Sequence, residues 1–236
     1  MDPPREQPLP HKDREALRAR LIQDGVKRGY NPWLHLFGPA FVGSCVIGFV
    51  LSTLSNVHPV ELLTIPIVYV LSNAVEWRAH KMLLHKRNRF LPIFYDRHTP
   101  EHHMIFITDD LSARTMREWR FVLIPAWGLA LIGLGNLPLA ASLYFLVSHN
   151  VGALYLACAL SYVLSYEWLH LSYHLPPESP IGRLSVIRFL RRHHATHHDP
   201  RLMQRWNFNV TVPLWDLVRG TYVRNVESTS PIMRRP

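Results

Sequence analysis

Residues 60–85 read VELLTIPIVYVLSNAVEWRAHKMLLH: an apolar run from Val60 to Val75, then Glu76, Trp77 and a histidine pair, His80 and His85. The run approaches the roughly 20 residues that cross a bilayer core, and it lengthens toward Trp77, an expected interfacial anchor. Residues 151–174 repeat the design. An apolar run from Val151 to Tyr166 is followed by Glu167, Trp168 and the pair His170 and His174. Working outward, each run has an apolar partner before it. The first partner runs from Leu34 to Leu54 (LHLFGPAFVGSCVIGFVLSTL) and is joined through the short turn from Ser55 to Pro59. The second runs from Phe121 to Val147 and is interrupted by Pro125, Gly133 and Pro138. It is too long for one untilted span and short for two. It reads as one tilted or kinked helix, with a span plus a re-entrant piece as the alternative. The expected architecture is an all-α integral membrane protein with four transmembrane helices in two hairpins.

Charge supports this topology. The net charge is +9, and all 26 Lys and Arg lie in three segments: 7 in residues 1–28, 9 in 78–120 and 10 in 183–236. None lies between Gly29 and Trp77 or between Phe121 and Gly182. A soluble protein spreads its cations, whereas two embedded hairpins leave two cation-free windows. All basic segments, and with them both termini, are then expected on the cytoplasmic side of a multi-pass protein. This placement explains the charge better than nucleic-acid binding does. A mean hydropathy of −0.01 would suit a globular protein, but polar termini and a polar 86–118 loop dilute the apolar runs. The first 30 residues are polar, so no cleavable signal peptide is expected. Three regions follow: a cytoplasmic segment 1–33, a membrane domain 34–225, and a tail 226–236 expected to be flexible. Within the first, Asp13 to Val26 carries Leu17, Leu21, Ile22 and Val26 among basic residues, and reads as an interfacial helix or a solvated one. Cys45 and Cys158 lie in separate apolar runs and read as packed small residues.

Ten of the 15 histidines fall into four clusters just outside the apolar runs. They are His80 and His85; His98, His102 and His103; His170 and His174; and His194, His197 and His198. Neutral imidazole is a good ligand for iron, zinc, copper and nickel, and ten of them suffice for two ions. Residues three or four apart share a helix face, so each cluster offers two or three imidazoles to a common point. His80 and His85 are five apart on an ideal helix; they serve two different metals, or the helix ends between them. Glu76 and Glu167 share faces with the pairs. They read as acceptors of a histidine N–H, as direct ligands, or as interfacial helix ends. Asp96 and Asp199 flank the triplets and read as orienting acids or solvated ones. His193 points away from the site or substitutes for His194. His11, His35, His58 and His149 stand alone and read as solvated or interfacial residues.

The order His-x4-His, His-x3-His-His, His-x3-His, His-x2-His-His, interleaved with two hairpins, resembles the fatty acid hydroxylase superfamily. That group includes sterol desaturases, sterol methyl oxidases and carotenoid hydroxylases. The tail Asn207-Phe208-Asn209-Val210-Thr211-Val212-Pro213-Leu214-Trp215-Asp216, with Gly220 and Thr221, is similar to the segment after that family's last histidine box. The resemblance covers roughly residues 35–225. It implies an oxygen-dependent di-iron membrane enzyme in which His80, His85, His98, His102, His103, His170, His174, His194, His197 and His198 hold the metals in a cytoplasmic helical cap. Zinc is expected to replace iron in some preparations. Some relatives carry a fused cytochrome b5 domain; the segment before Leu34 is too short for one.

The expected function is hydroxylation, or desaturation, of an apolar lipid such as a fatty acyl chain, sterol or carotenoid. O2 is the co-substrate, and electrons come from a separate donor such as cytochrome b5, a ferredoxin or a reductase. Trp77, Tyr95, Trp168 and Tyr173 line the substrate channel or anchor the interface, the second being favoured. The alternative is a non-catalytic histidine-rich metal-binding or transport protein, which would place its ligands at mid-membrane depth. A b-type cytochrome needs histidines facing each other within the spans, which are nearly empty of them, and a zinc protease wants a motif such as HExxH, which is absent.

Overall fold

A computed structural model describes residues 10–224, so the tail expected at 226–236 and the first nine residues lie outside the described part. The described chain is helical, without a strand. Helix α1 (His11–Gly25) precedes the first long helix, α2 (Pro32–Ser52). Asn31 starts α2 by accepting from the amides of Trp33 and Leu34, with Pro32 at the first helical position. After a tight 3₁₀ turn at Pro59–Leu63, α3 (Thr64–Ala79) returns and runs into a wide π turn at His80–Leu84. Three short helices follow: α4 (Pro92–Arg97), α5 (His103–Ile105) and α6 (Trp119–Val122). The second hairpin is α7 (Ala126–Leu146) and α8 (His149–His174), and the chain closes with α9 (Ser185–His197) and α10 (Leu214–Val218).

Three helical stretches are long and apolar enough to cross a membrane: Pro32–Ser52, Pro59–Leu84 and Met116–Leu146. They turn Phe41, Phe49, Val75, Leu134 and Phe145 outward, a continuous apolar surface that suits lipid rather than water. Helix α8 sits against α2, α3, α7 and α9 and is the central strut. The long run beginning at Phe121 is broken rather than smoothly kinked. Leu123 is extended, and Ile124, directly before Pro125, is disfavoured in the helical region. The apolar helix then restarts at Ala126 and continues through Pro138.

The two hairpins are locked together at the end far from the histidines. Buried Asn150 accepts from the Ser55 amide and donates to the Ser55 carbonyl and to Glu61. At the same turn a Cβ on Gly152 would stand 2.6 Å from the Tyr144 backbone. A glycine is needed there for α7 and α8 to meet.

The segment Asp13 to Val26 forms most of α1 and docks on the histidine-bearing cap. Leu21, Ile22 and Val26 pack against the cluster of Phe106, Trp119, Phe121 and Leu171. Buried Arg18 contacts Asp110 at 3.2 Å and Glu118 at 3.3 Å, and donates to the Ser112 carbonyl. Removing one member of a buried ionic group leaves the others uncompensated. Arg18→Ala should therefore cost about 3–5 kcal/mol and open α1 to protease in detergent. An Arg18→Ala protein as resistant as the wild type would show that the apolar face alone holds α1.

Candidate metal centre

The ten clustered histidines are all buried and converge as two adjoining groups of five. One group is His80, His85, His98, His103 and His197; the other is His102, His170, His174, His194 and His198. Within each group the ligand nitrogens lie within 4.8 Å of one another. The groups touch: His103 of the first stacks on His198 of the second with centroids 4.1 Å apart.

The partition departs from the expected faces for a local reason. His80 and His85 neither serve separate groups nor lose their helix between them. The His85 amide bonds the His80 carbonyl, five residues back, and that π turn brings residues five apart onto one face. The same turn recurs at His98–His102, where the His103 amide bonds the His98 carbonyl. His98 and His103 thus share the first group, while His102 enters the second. In α9 ordinary helical spacing places His194 and His198 together and turns His197 to the other group. The pairs each serve one group; the triplets do not point at a common site but span both.

Backbone carbonyls orient half of these rings. His102 Nδ1 donates to the Phe121 carbonyl at 3.0 Å, His174 Nδ1 to Leu111 at 2.7 Å and His198 Nδ1 to Phe106 at 2.6 Å. In the first group His197 Nδ1 donates to Trp206 at 2.9 Å, and His80 Nδ1 to Phe208. A carbonyl only accepts, so the proton sits on Nδ1 and a neutral ring presents a lone pair at Nε2. Burial, with the neighbouring rings, holds His85, His98, His102, His103, His194 and His197 well below the ordinary imidazole range. His198 is pushed down to about 3. Yet His102 Nε2 and His198 Nε2 are 3.2 Å apart. Two bare lone pairs held that close in a dry interior repel unless a cation lies between them. The spacing fits one: nitrogens about 2.1 Å from an ion and at right angles stand about 3.0 Å apart. His170 adds an Nε2 with no hydrogen-bond partner among the described residues.

The two glutamates act one step further out than expected. Neither accepts from an imidazole. Glu76 accepts from the Thr211 amide at 3.1 Å, the Thr211 hydroxyl at 2.6 Å, the Val210 amide and the Tyr162 hydroxyl. It thereby fixes the strip whose Phe208 carbonyl orients His80. Glu167 accepts from the Ile124 amide at 3.0 Å, fixing the loop whose Phe121 carbonyl orients His102. The flanking acids do not orient rings either: Asp96 pairs with Arg87 and Asp199 with Arg201. His193 points away from both groups, with Nε2 3.2 Å from Asp216 and its ring stacked on Tyr222. Of the lone histidines, His35 bonds Tyr30 and the Ile124 carbonyl, and His149 bonds Ser55.

Sequence reasoning missed the clasp around the tail. Asp216 accepts from the Phe208 and Asn209 amides at 3.0 and 2.8 Å and from the Thr221 hydroxyl at 2.7 Å. Asn73 ties α3 to Tyr162, Thr211 and the Val212 carbonyl. The available signal was Asn73 itself, a lone amide inside an apolar run.

An apolar cavity of about 530 Å³ opens between α3, α4, α7 and α8 and reaches His80, His98 and His170. Val68, Leu71, Leu139 and Ala159 are among the apolar residues that line it. Its aromatic walls are Phe94, Phe121, Trp127, Tyr155, Tyr162 and Tyr166, not Trp77, Tyr95, Trp168 or Tyr173, for which the sequence favoured interfacial anchoring over channel lining. Trp77 is no interfacial anchor: it is 5% exposed and donates to Thr221. Tyr173 is fully buried and donates to the Val210 carbonyl.

Membrane-length apolar helices, ten buried imidazoles in two groups that could each hold a metal ion, and an apolar cavity leading to them fit the class of membrane proteins with histidine-rich metal sites. The chain is a member of the fatty acid hydroxylase family, whose profile matches residues 65–221. The fold is similar to a solved structure described as full-length Scs7p with only the hydroxylase domain visible, at a TM-score of 0.53 and 21% identity. The match covers 81% of this chain and 66% of that one, just under two thirds of its length. No curated protein sequence is significantly similar.

Glu76→Gln tests the clasp. The Gln oxygen can still take the Val210 and Thr211 amides, but its NH2 then faces the Tyr162 and Thr211 hydroxyls, whose protons lose their acceptor at a cost of about 1–3 kcal/mol. Thermal unfolding in detergent should register that loss; an unchanged midpoint would mean the tail is held without Glu76.

Proposed function

We propose that this protein is an oxygen-dependent, di-iron membrane enzyme that hydroxylates an apolar lipid at the cytoplasmic face of the bilayer. The observation that carries the reading is the confrontation of His102 Nε2 and His198 Nε2 at 3.2 Å, with both Nδ1 atoms committed to carbonyls. His80, His85, His98, His103 and His197 would hold one ion; His102, His170, His174, His194 and His198 would hold the other. Iron bound there would supply activation of O2, with two electrons from a separate donor such as cytochrome b5, a ferredoxin or a reductase, to oxidise an unactivated C–H bond. The chain's own part is placement. The carbonyls of Phe106, Leu111, Phe121, Trp206 and Phe208 fix the rings, and the cavity excludes water and leads a lipid tail past α3 and α8 to His80, His98 and His170. Family membership favours hydroxylation over desaturation. The ligand-bearing segments lie at one end of the long helices, which disfavours a transport role.

In this reading α8 is the fourth span and both termini are cytoplasmic. Single cysteines at positions 57 and 149 should then label from the non-cytoplasmic side; labelling from the cytoplasm alone would refute the topology. His198→Ala should abolish product formation and lower iron content while leaving membrane insertion intact, since insertion depends on the apolar helices. His149→Ala should be near neutral. The assay is mass spectrometry with labelled dioxygen, normalised to inserted protein. Full activity in His198→Ala would sink the di-iron assignment.

A further inference from the structure

Among the described residues, the cavity that reaches the imidazoles carries one basic side chain that is not a histidine. Arg97 ends α4, directly before His98, and both line the wall. Its guanidinium gives one hydrogen bond, to the Arg120 carbonyl at 2.8 Å. Among the described residues no carboxylate lies within ion-pair distance of it, and the acids nearby are engaged elsewhere. Glu101 faces Arg120 at 3.7 Å, and Glu167 and Glu76 accept backbone amides. Arg120 adds a second positive charge beside it rather than a partner. A guanidinium stays protonated in proteins, so Arg97 carries its charge at neutral pH. A half-buried guanidinium with spare donors on an apolar wall is unfavourable unless an anion completes it, and its planar fork matches a carboxylate or phosphate.

We propose that Arg97 anchors the anionic end of the lipid substrate, a carboxylate or a phosphate ester, beside His98. The assignment rests on the lipid-oxidation reading and sharpens it. The hydrocarbon chain then runs along α8 from His170 toward Tyr155, fifteen residues and roughly 22 Å at 1.5 Å per residue. The carbon nearest the histidines is one close to the polar end, not the far end of the chain.

Binding to the purified protein in detergent without an electron donor, so that no turnover occurs, tests this independently of any oxidation, using labelled stearate, lysophosphatidic acid and octadecanol. Wild-type protein should prefer at least one anionic lipid over octadecanol, and the tighter of the two identifies the source of the charge. Arg97→Gln should weaken that lipid about 10–100-fold and change octadecanol by less than about twofold. Arg97→Lys, which keeps charge but not the fork, should fall between. Equal binding of all three lipids by the wild type, or a parallel loss for octadecanol in Arg97→Gln, overturns the proposal. Should Arg97→Gln fail to fold, Arg97→Lys decides it: the anionic lipid must lose affinity relative to octadecanol, and equal loss overturns the anchor. Iron-dependent activity, measured separately, can fail without touching this result.

Discussion

The hydrogen bond from a histidine Nδ1 to a backbone carbonyl is the contact on which the rest of this structure depends. It fixes the tautomer, aims Nε2 inward, and makes the interior uninhabitable without positive charge. His102, His174 and His198 each take a carbonyl from a different segment, and His80 and His197 take theirs from the tail. Much of the cap can be understood as scaffolding for those five oxygens. α1 braces the Leu111 to Phe121 region through Arg18 and its apolar face. Glu167 fixes the loop after Phe121, and Glu76 and Asp216 fix the strip around Phe208.

This arrangement gives physical content to the likeness between the two halves of the chain. In each half an apolar helix ends in Glu-Trp and then a histidine pair. In each, the glutamate clamps backbone amides three residues or fewer from a carbonyl that orients a ring. The tryptophans diverge. Trp77 is sealed beneath Thr221 and Phe208, whereas Trp168 remains partly exposed beside Phe37.

The long apolar runs and the identity of the ten histidines were legible because hydropathy and spacing are properties of the chain alone. The extent of α8 was nearly so: the run ends at Tyr166 but the helix continues to His174, since the histidine pair lies on its buried face. What the sequence hid was backbone. Nothing in His80-x4-His85 announces a π turn, because the extra residue is accommodated by a widened hydrogen-bond ladder rather than by a special side chain. The same is true of His98 to His103, so the division of each triplet could not be read. The carbonyl partners are equally silent, since every residue has one. The glutamates were placed on the correct faces, but their partners lie 134 residues away for Glu76 and 43 for Glu167, beyond the reach of local periodicity.

The Phe208 carbonyl that orients His80 arrives 128 residues later in the chain. During synthesis the first hairpin and its histidine pair are therefore in place long before their ring partner exists. Until the tail threads under Asn73 and Glu76, His80 is free to rotate and to choose either tautomer. A complete five-imidazole pocket is thus a product of the finished chain, and any ion held there would enter only after translation, once the closing strip locks the last ring.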